Sequence, residues 1–106
     1  MYVRIFWGKI KPGRWDEYEA HYNENIQALG EKMPGFSGRQ LLRSTENPDE
    51  GISITFWDTA EEVEAYDKSP QRQANARAAD HLYAGEYWVK HFEVRSTDIA
   101  TYRWSP

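Results

Sequence analysis

The chain reads as an α+β sandwich of ferredoxin-like order, βαββαβ, and three observations carry that reading. The segments alternate as strand, helix, strand, strand, helices, strand, which right-handed crossovers fold into a split βαβ sandwich. The central stretch Gly51 to Pro70, GISITFWDTAEEVEAYDKSP, feeds a strand directly into two linked helices, as helices laid over a sheet require. The strands carry apolar residues on both faces, whereas the helices suffice to cover only one. The uncovered face then needs a second copy of the chain, and two such sheets meeting across a two-fold axis make a dimeric α/β barrel.

Each element has its own warrant. Tyr2 to Ile10 is the first strand: Val3, Ile5 and Trp7 point one way, Tyr2, Arg4, Phe6, Gly8 and Ile10 the other. Lys11, Pro12 and Gly13 turn the chain. Trp15, Tyr18, Tyr22, Ile26, Leu29 and Met33 recur at steps of three and four, predicting a helix from Trp15 to Met33. Pro34 and Gly35 end it. A second strand spans Phe36 to Arg43, and STENPDE, Ser44 to Glu50, is an exposed loop. Ile52, Ile54 and Phe56 alternate with Ser53, Thr55 and Trp57 in the third strand. Asp58 or Thr59 caps the next helix, with Glu61 and Glu62 three residues on, and Ser69 before Pro70 stops it and caps another. That helix is expected to run to about Leu82 with Gln71, Ala74, Ala78 and Leu82 on its packed face, to break at Gly85, and to lead into a fourth strand from Tyr87 to Arg95. Residues 1–95 thus form one domain. Ile99, Tyr102 and Trp104 make the extension 96–106 apolar enough to lie on the domain or on a partner subunit.

Composition excludes several function classes. The 106 residues carry 13 Lys and Arg scattered among 17 acidic residues, net −4, so no basic stripe exists to displace phosphate counterions and nucleic acid is not an expected partner. Without cysteine there is no disulfide framework, thiolate metal site or Cys nucleophile. No His pair has zinc spacing, no Asp-rich loop resembles a calcium cage, and no phosphate-loop or dinucleotide fingerprint occurs, so no metal is expected. No signal peptide or membrane-spanning run is seen, and the expectation is a cytoplasmic protein. Five Trp, seven Tyr and four Phe are the positive signal: so many rings fill a core, line a pocket or cover an interface.

The opening strand, the long helix closing in MPGFSGRQLLR, the strand ending in FWD and the segment AEEVEAYDKSP together resemble the antibiotic biosynthesis monooxygenase domain, over residues 1 to about 95. The resemblance implies the dimeric barrel and a family of cofactor-independent oxygenases acting on polycyclic aromatic or quinol substrates, alongside haem-degrading enzymes. The haem-degrading branch places an Asn, a Trp and a His at positions that fall here on Phe6, Tyr66 and Asn75. All three depart, so haem ligation would require another residue such as His81. The implied function is therefore monooxygenation of an aromatic or quinol-like small molecule with no cofactor, by a homodimer. The alternative is a non-catalytic domain whose cavity holds a small aromatic.

Such chemistry needs a pocket for an electron-rich ring, a group to take its acidic proton, and exclusion of water. His91 shares a strand face with Glu93 and Tyr87, so the carboxylate could orient the imidazole, making His91 a candidate base. Tyr66 could donate to a substrate oxygen, and Asn75 could donate and accept. Both also occupy positions where the resembling family contacts ligands. Phe6, Trp57, His81 and Trp88 complete the candidate ligand-binding set. Phe6 and Trp7 cannot both line one cavity, being neighbours on a strand, and the sequence leaves open which one does. Arg4 and Arg39 could stabilise an enolate-like charge, and His21 reads as a helix boundary residue beside Glu17 and Asn25.

Overall fold

The computed structural model describes residues 1–26 and 33–98. In chain order it runs β1 (Tyr2–Ile10), α1 (Trp15–Ile26), β2 (Phe36–Arg43), β3 (Glu50–Trp57), α2 (Ala60–Asp67), α3 (Pro70–Ala79), a single 3-10 turn (Asp80–Leu82) and β4 (Tyr83–Glu93). The strands form one antiparallel sheet ordered β2-β3-β1-β4. This is the ferredoxin-like α+β sandwich that the order of segments predicts. The expected continuation of α1 across residues 27–32, and the extension with Ile99, Tyr102 and Trp104, lie outside the described residues; Met33, the expected end of the helix, is in a bend and not in the helix.

The caps act as the sequence implies. Of the two possible residues Thr59 caps α2: its Oγ1 accepts from the Glu62 amide at 3.2 Å and donates to Glu62 Oε1 at 2.8 Å. Ser69 caps α3, its Oγ accepting from the Arg72 amide at 3.1 Å with Pro70 in the first turn.

The register sorts the strand residues into two faces. Tyr2, Arg4, Phe6, Gly8 and Ile10 of β1 lie with Thr55, Ser53 and Gly51 of β3 and with His91, Val89 and Tyr87 of β4, beneath the helices. Two buried clusters hold this side together: Tyr22, Trp57, Val63 and Tyr66 in one, Ile10, Trp15, Tyr18 and Leu82 in the other. Trp15 comes so close to β3 that a Cβ on Gly51 would stand 2.5 Å from its ring, so only glycine admits it. The opposite face presents Val3, Ile5 and Trp7 beside Ile52, Ile54, Phe56, Trp88 and Phe92, with no helix over it among the described residues.

Two expectations are corrected. Gly85 does not break a helix: it lies inside β4 at φ 99, a conformation natural only to glycine. Around it β4 takes four steps, Tyr83 to Tyr87, where β1 takes two, Ile10 to Gly8. The bulge leaves Tyr83 tilted against Phe6 and Tyr87 stacked on it, at ring distances of 5.3 and 5.4 Å. The packed face of α3 is also rotated from that expected: Ala79 is buried and Asn75 and Ala76 are half-buried, while Ala74 and Ala78 are exposed. A helix with alanines at 74, 76, 78 and 79 offers more than one small-residue stripe, and packing selects between them.

Candidate functional site

Between helices and sheet lies a cavity of about 110 Å³. A cavity of roughly 150 Å³ admits a benzene ring, so this space takes one ring of a ligand, and because it is partly open to solvent further fused rings can extend outward. Its floor is the helix-covered sheet face, with Arg4 and Phe6 from β1, Ser53 from β3, and Tyr83 and Tyr87 from β4. α1 contributes Tyr18, His21, Tyr22 and Asn25 to one wall, and α3 contributes Arg72, Asn75, Ala76 and Ala79 to another. Both sets follow the i, i+3, i+4, i+7 spacing of one helical face. Tyr66 of α2 and Asp80 complete the lining. The small Ala76 and Ala79 leave the volume that larger side chains would fill.

The lining is polar and aromatic at once. Tyr18, Tyr22, Tyr66 and Tyr83 all have phenol pKa values raised above the ordinary value, with burial the largest cause for each. For Tyr66 the charge of Arg4, a hydrogen bond with Asn75 and the charge of Arg72 work against burial without overcoming it. These hydroxyls are therefore neutral donors at physiological pH, not bases. The Arg4 guanidinium lies 5.3 Å from the centre of the Tyr66 ring, and its Nε donates to Asp67 Oδ1 at 2.5 Å. The second oxygen of Asp67 is 2.5 Å from His91 Nε2. On α1 the Asn25 amide donates both to the His21 carbonyl at 2.8 Å and to His21 Nδ1 at 3.0 Å, which puts the proton of a neutral imidazole on Nε2.

Of the residues singled out from sequence, the structure brings Phe6, Tyr66 and Asn75 together on the cavity, with Arg4. On β1 the cavity-facing ring is thus Phe6 and not Trp7. His91 is on the same sheet side but outside the lining; it is paired with Asp67, not with Glu93, which accepts from Tyr2 and Arg95 instead. Trp57 is fully buried beneath Tyr66, ring centres 5.1 Å apart, with its indole N–H donated to Thr55 at 2.9 Å. His81 does not reach the sheet: it stands on the surface, 3.2 Å from Glu17, because the 3-10 turn buries Leu82 and turns the preceding side chain outward. Trp88 occupies the opposite sheet face, stacked on Trp7 at 6.1 Å. Arg39 is engaged by Asn23 and lies over the Tyr22 ring.

Among the lining residues that the sequence did not single out as site candidates are His21, Asn25, Arg72 and the β4 tyrosines. The signal for α1 was present, since 18, 21, 22 and 25 form one face, but the stronger apolar stripe through 15, 18, 22 and 26 obscured it. Tyr83 depends on the bulge, for which only Gly85 gave a cue. Among the described residues no group of three His, Asp or Glu side chains could hold a metal ion, and no helix is long and apolar enough to cross a membrane.

The fold is shared by several solved structures. The cofactor-independent oxygenase SnoaB from Streptomyces nogalater superposes with a TM-score of 0.76 at 18% identity, over 91% of this chain and 94% of that one. A protein of Bordetella bronchiseptica assigned to the antibiotic biosynthesis monooxygenases gives 0.78 at 22% identity, over 88% and 95%. One of Caulobacter crescentus with the same assignment gives 0.79 at 15%, over 90% of each chain. At these identities the likeness speaks for the fold alone. No curated protein matches the sequence. The family model for antibiotic biosynthesis monooxygenase matches residues 1–78, the span that holds β1 through most of α3, and the chain belongs to that family.

Proposed function

We propose that the protein is a cofactor-independent monooxygenase acting on an electron-rich aromatic or quinol-like small molecule held in the cavity between helices and sheet. The observation that carries this reading is the convergence of Phe6, Tyr66, Asn75 and Arg4 on one ring-sized cavity. The description of SnoaB as a cofactor-independent oxygenase supports it. In an anthrone-type substrate a ring methylene becomes a carbonyl: one atom of dioxygen enters the product and the other leaves as water with the two hydrogens. The substrate supplies all the electrons. The protein's part is to favour the ionised ring and keep it dry. Tyr66 and Asn75 donate to the developing oxyanion, Arg4 adds positive charge beneath it, and Phe6 with the tyrosines of β4 sets the ring plane. His91 acts at one remove, holding Asp67 and through it Arg4.

The functional unit in this proposal is a homodimer built on the open sheet face, whose apolar residues are those an obligate interface buries. The reading is tested by titrating purified protein with hydroxylated anthrones, naphthoquinols, flavonoids and haem while following Trp fluorescence, then measuring oxygen uptake for each compound that binds. An anthrone or naphthoquinol is expected to consume one equivalent of oxygen, and Tyr66→Phe to slow turnover by about a hundredfold. Tight binding without uptake across all compounds would replace the oxygenase with a ligand-binding domain.

A further inference from the structure

We infer that the cavity is built for an aromatic ligand bearing a fixed carboxylate, and that Arg72 is the residue that recognises it. The inference rests on the reading above for the identity of the pocket and adds the charge class of what it holds. Two guanidiniums border the cavity, and they differ in one respect. Arg4 is already balanced by Asp67. Arg72, in the first turn of α3 where the Ser69 cap and Pro70 fix the backbone, is half-buried in the wall, and among the described residues it takes part in no ion pair and its guanidinium donates no hydrogen bond.

Its charge nevertheless reaches the site, since it favours ionisation at both Tyr66 and Tyr83, against the larger effect of burial. The other titratable wall residues do not neutralise it. Asp80 sits exposed beyond ion-pair distance, and His21 is engaged with Asn25. In a chain of net charge −4, a half-buried cation with no carboxylate partner among the described residues, in a pocket of rings, is a recognition element awaiting an anion. A guanidinium meets a carboxylate with a two-pronged fork. Phe6, Tyr83 and Tyr87 offer aromatic surface for the ring that carries it.

The test is calorimetric titration of the full chain with 1-hydroxy-2-naphthoate and with its methyl ester, which keeps the ring and phenol but removes the charge. The acid is expected to bind at least about tenfold more tightly than the ester in the wild type, as a charge-assisted hydrogen bond implies. Arg72→Gln should level the two by weakening the acid alone, and Arg72→Lys should restore part of the preference. Equal affinity for acid and ester in the wild type, no binding of either, or equal weakening of both in R72Q overturns the inference. The wild-type ratio needs no variant, so it stands even if R72Q folds poorly. Oxygen uptake is a separate readout: without turnover the oxygenase reading fails while the acid-to-ester ratio can still stand, and turnover of neutral anthrones without that ratio refutes only the role of Arg72.

Discussion

The two faces of the sheet reverse the usual arrangement. The side under the helices, where an apolar layer is expected, carries Arg4, Ser53, Thr55 and His91 and borders a polar, aromatic cavity. The side without helices carries Val3, Ile5, Trp7, Ile52, Ile54, Phe56, Trp88 and Phe92, the last 46% exposed. Apolar residues on an open face and charges under a closed one are both costly unless each has a use. The covered side uses its polar groups to shape a site. The open side is the natural seat of a second sheet, as the proposed homodimer requires.

The contrast can be broken most forcefully from the open side. Ile5→Arg puts one charge per protomer at the centre of that face, where an unpaired buried charge costs on the order of 3–5 kcal/mol. Sedimentation should show the wild type at twice the chain mass and the variant as monomer or unfolded. A wild type that sediments as a compact monomer at micromolar concentration would refute the dimer.

Removing a ring from each side sharpens the comparison. Trp57→Ala empties the buried cluster under Tyr66 and should cost about 3–5 kcal/mol in denaturant unfolding while leaving the proposed dimer's dissociation on dilution unchanged. Trp88→Ala, on the open side, should lower stability less and make the dimer dissociate at higher protein concentration, as expected of an interface residue. Dissociation unchanged in Trp88→Ala would argue that the open side is not an interface.

On the covered side, Asp67→Asn removes the carboxylate shared by Arg4 and His91. With side chains 8%, 29% and 32% exposed, the pairs are only partly screened, and a loss of roughly 2 kcal/mol is expected at neutral pH. A change under about 0.5 kcal/mol, within the range of ordinary surface substitutions, would mean that the network holds nothing in place.

The smallest effect at neutral pH is that of the buried phenols, which is nil until alkali. Tyr18, Tyr22, Tyr66 and Tyr83 have folded pKa values raised above their unfolded value near 10. The stability they confer is fully present below pH 10 and is lost as pH rises through their folded values, because the unfolded chain ionises first. Absorbance at about 295 nm should show these tyrosines ionising together with loss of near-ultraviolet dichroism. Ionisation near pH 10 in a chain that stays folded would contradict the burial.

How much was legible in the sequence follows from the range of the forces involved. β1 has the bounds that its alternation predicts, β2 those that the turn at Pro34 and Gly35 and the loop after Arg43 predict, and Thr59 and Ser69 cap as their hydroxyls imply, because period, turn chemistry and capping act within a few residues. The two faces of β1 were likewise fixed by alternation, which already required Phe6 and Trp7 to part company. The pairing of His91 with Asp67 rather than Glu93 was not legible, since it joins residues from a strand and a helix that meet only after folding. Nor was the start of β4 at Tyr83, which a bulge around Gly85 decides.

By itself, then, the sequence determined the order of elements, the residues on each strand face and the family, all of them properties written into local pattern. Tertiary structure alone decided which face of α3 turns inward, that His21 and Arg72 stand in the cavity wall, and that Trp57 and His81 do not. Those outcomes depend on how helices settle on a sheet, where packing chooses among stripes that local propensity leaves equivalent.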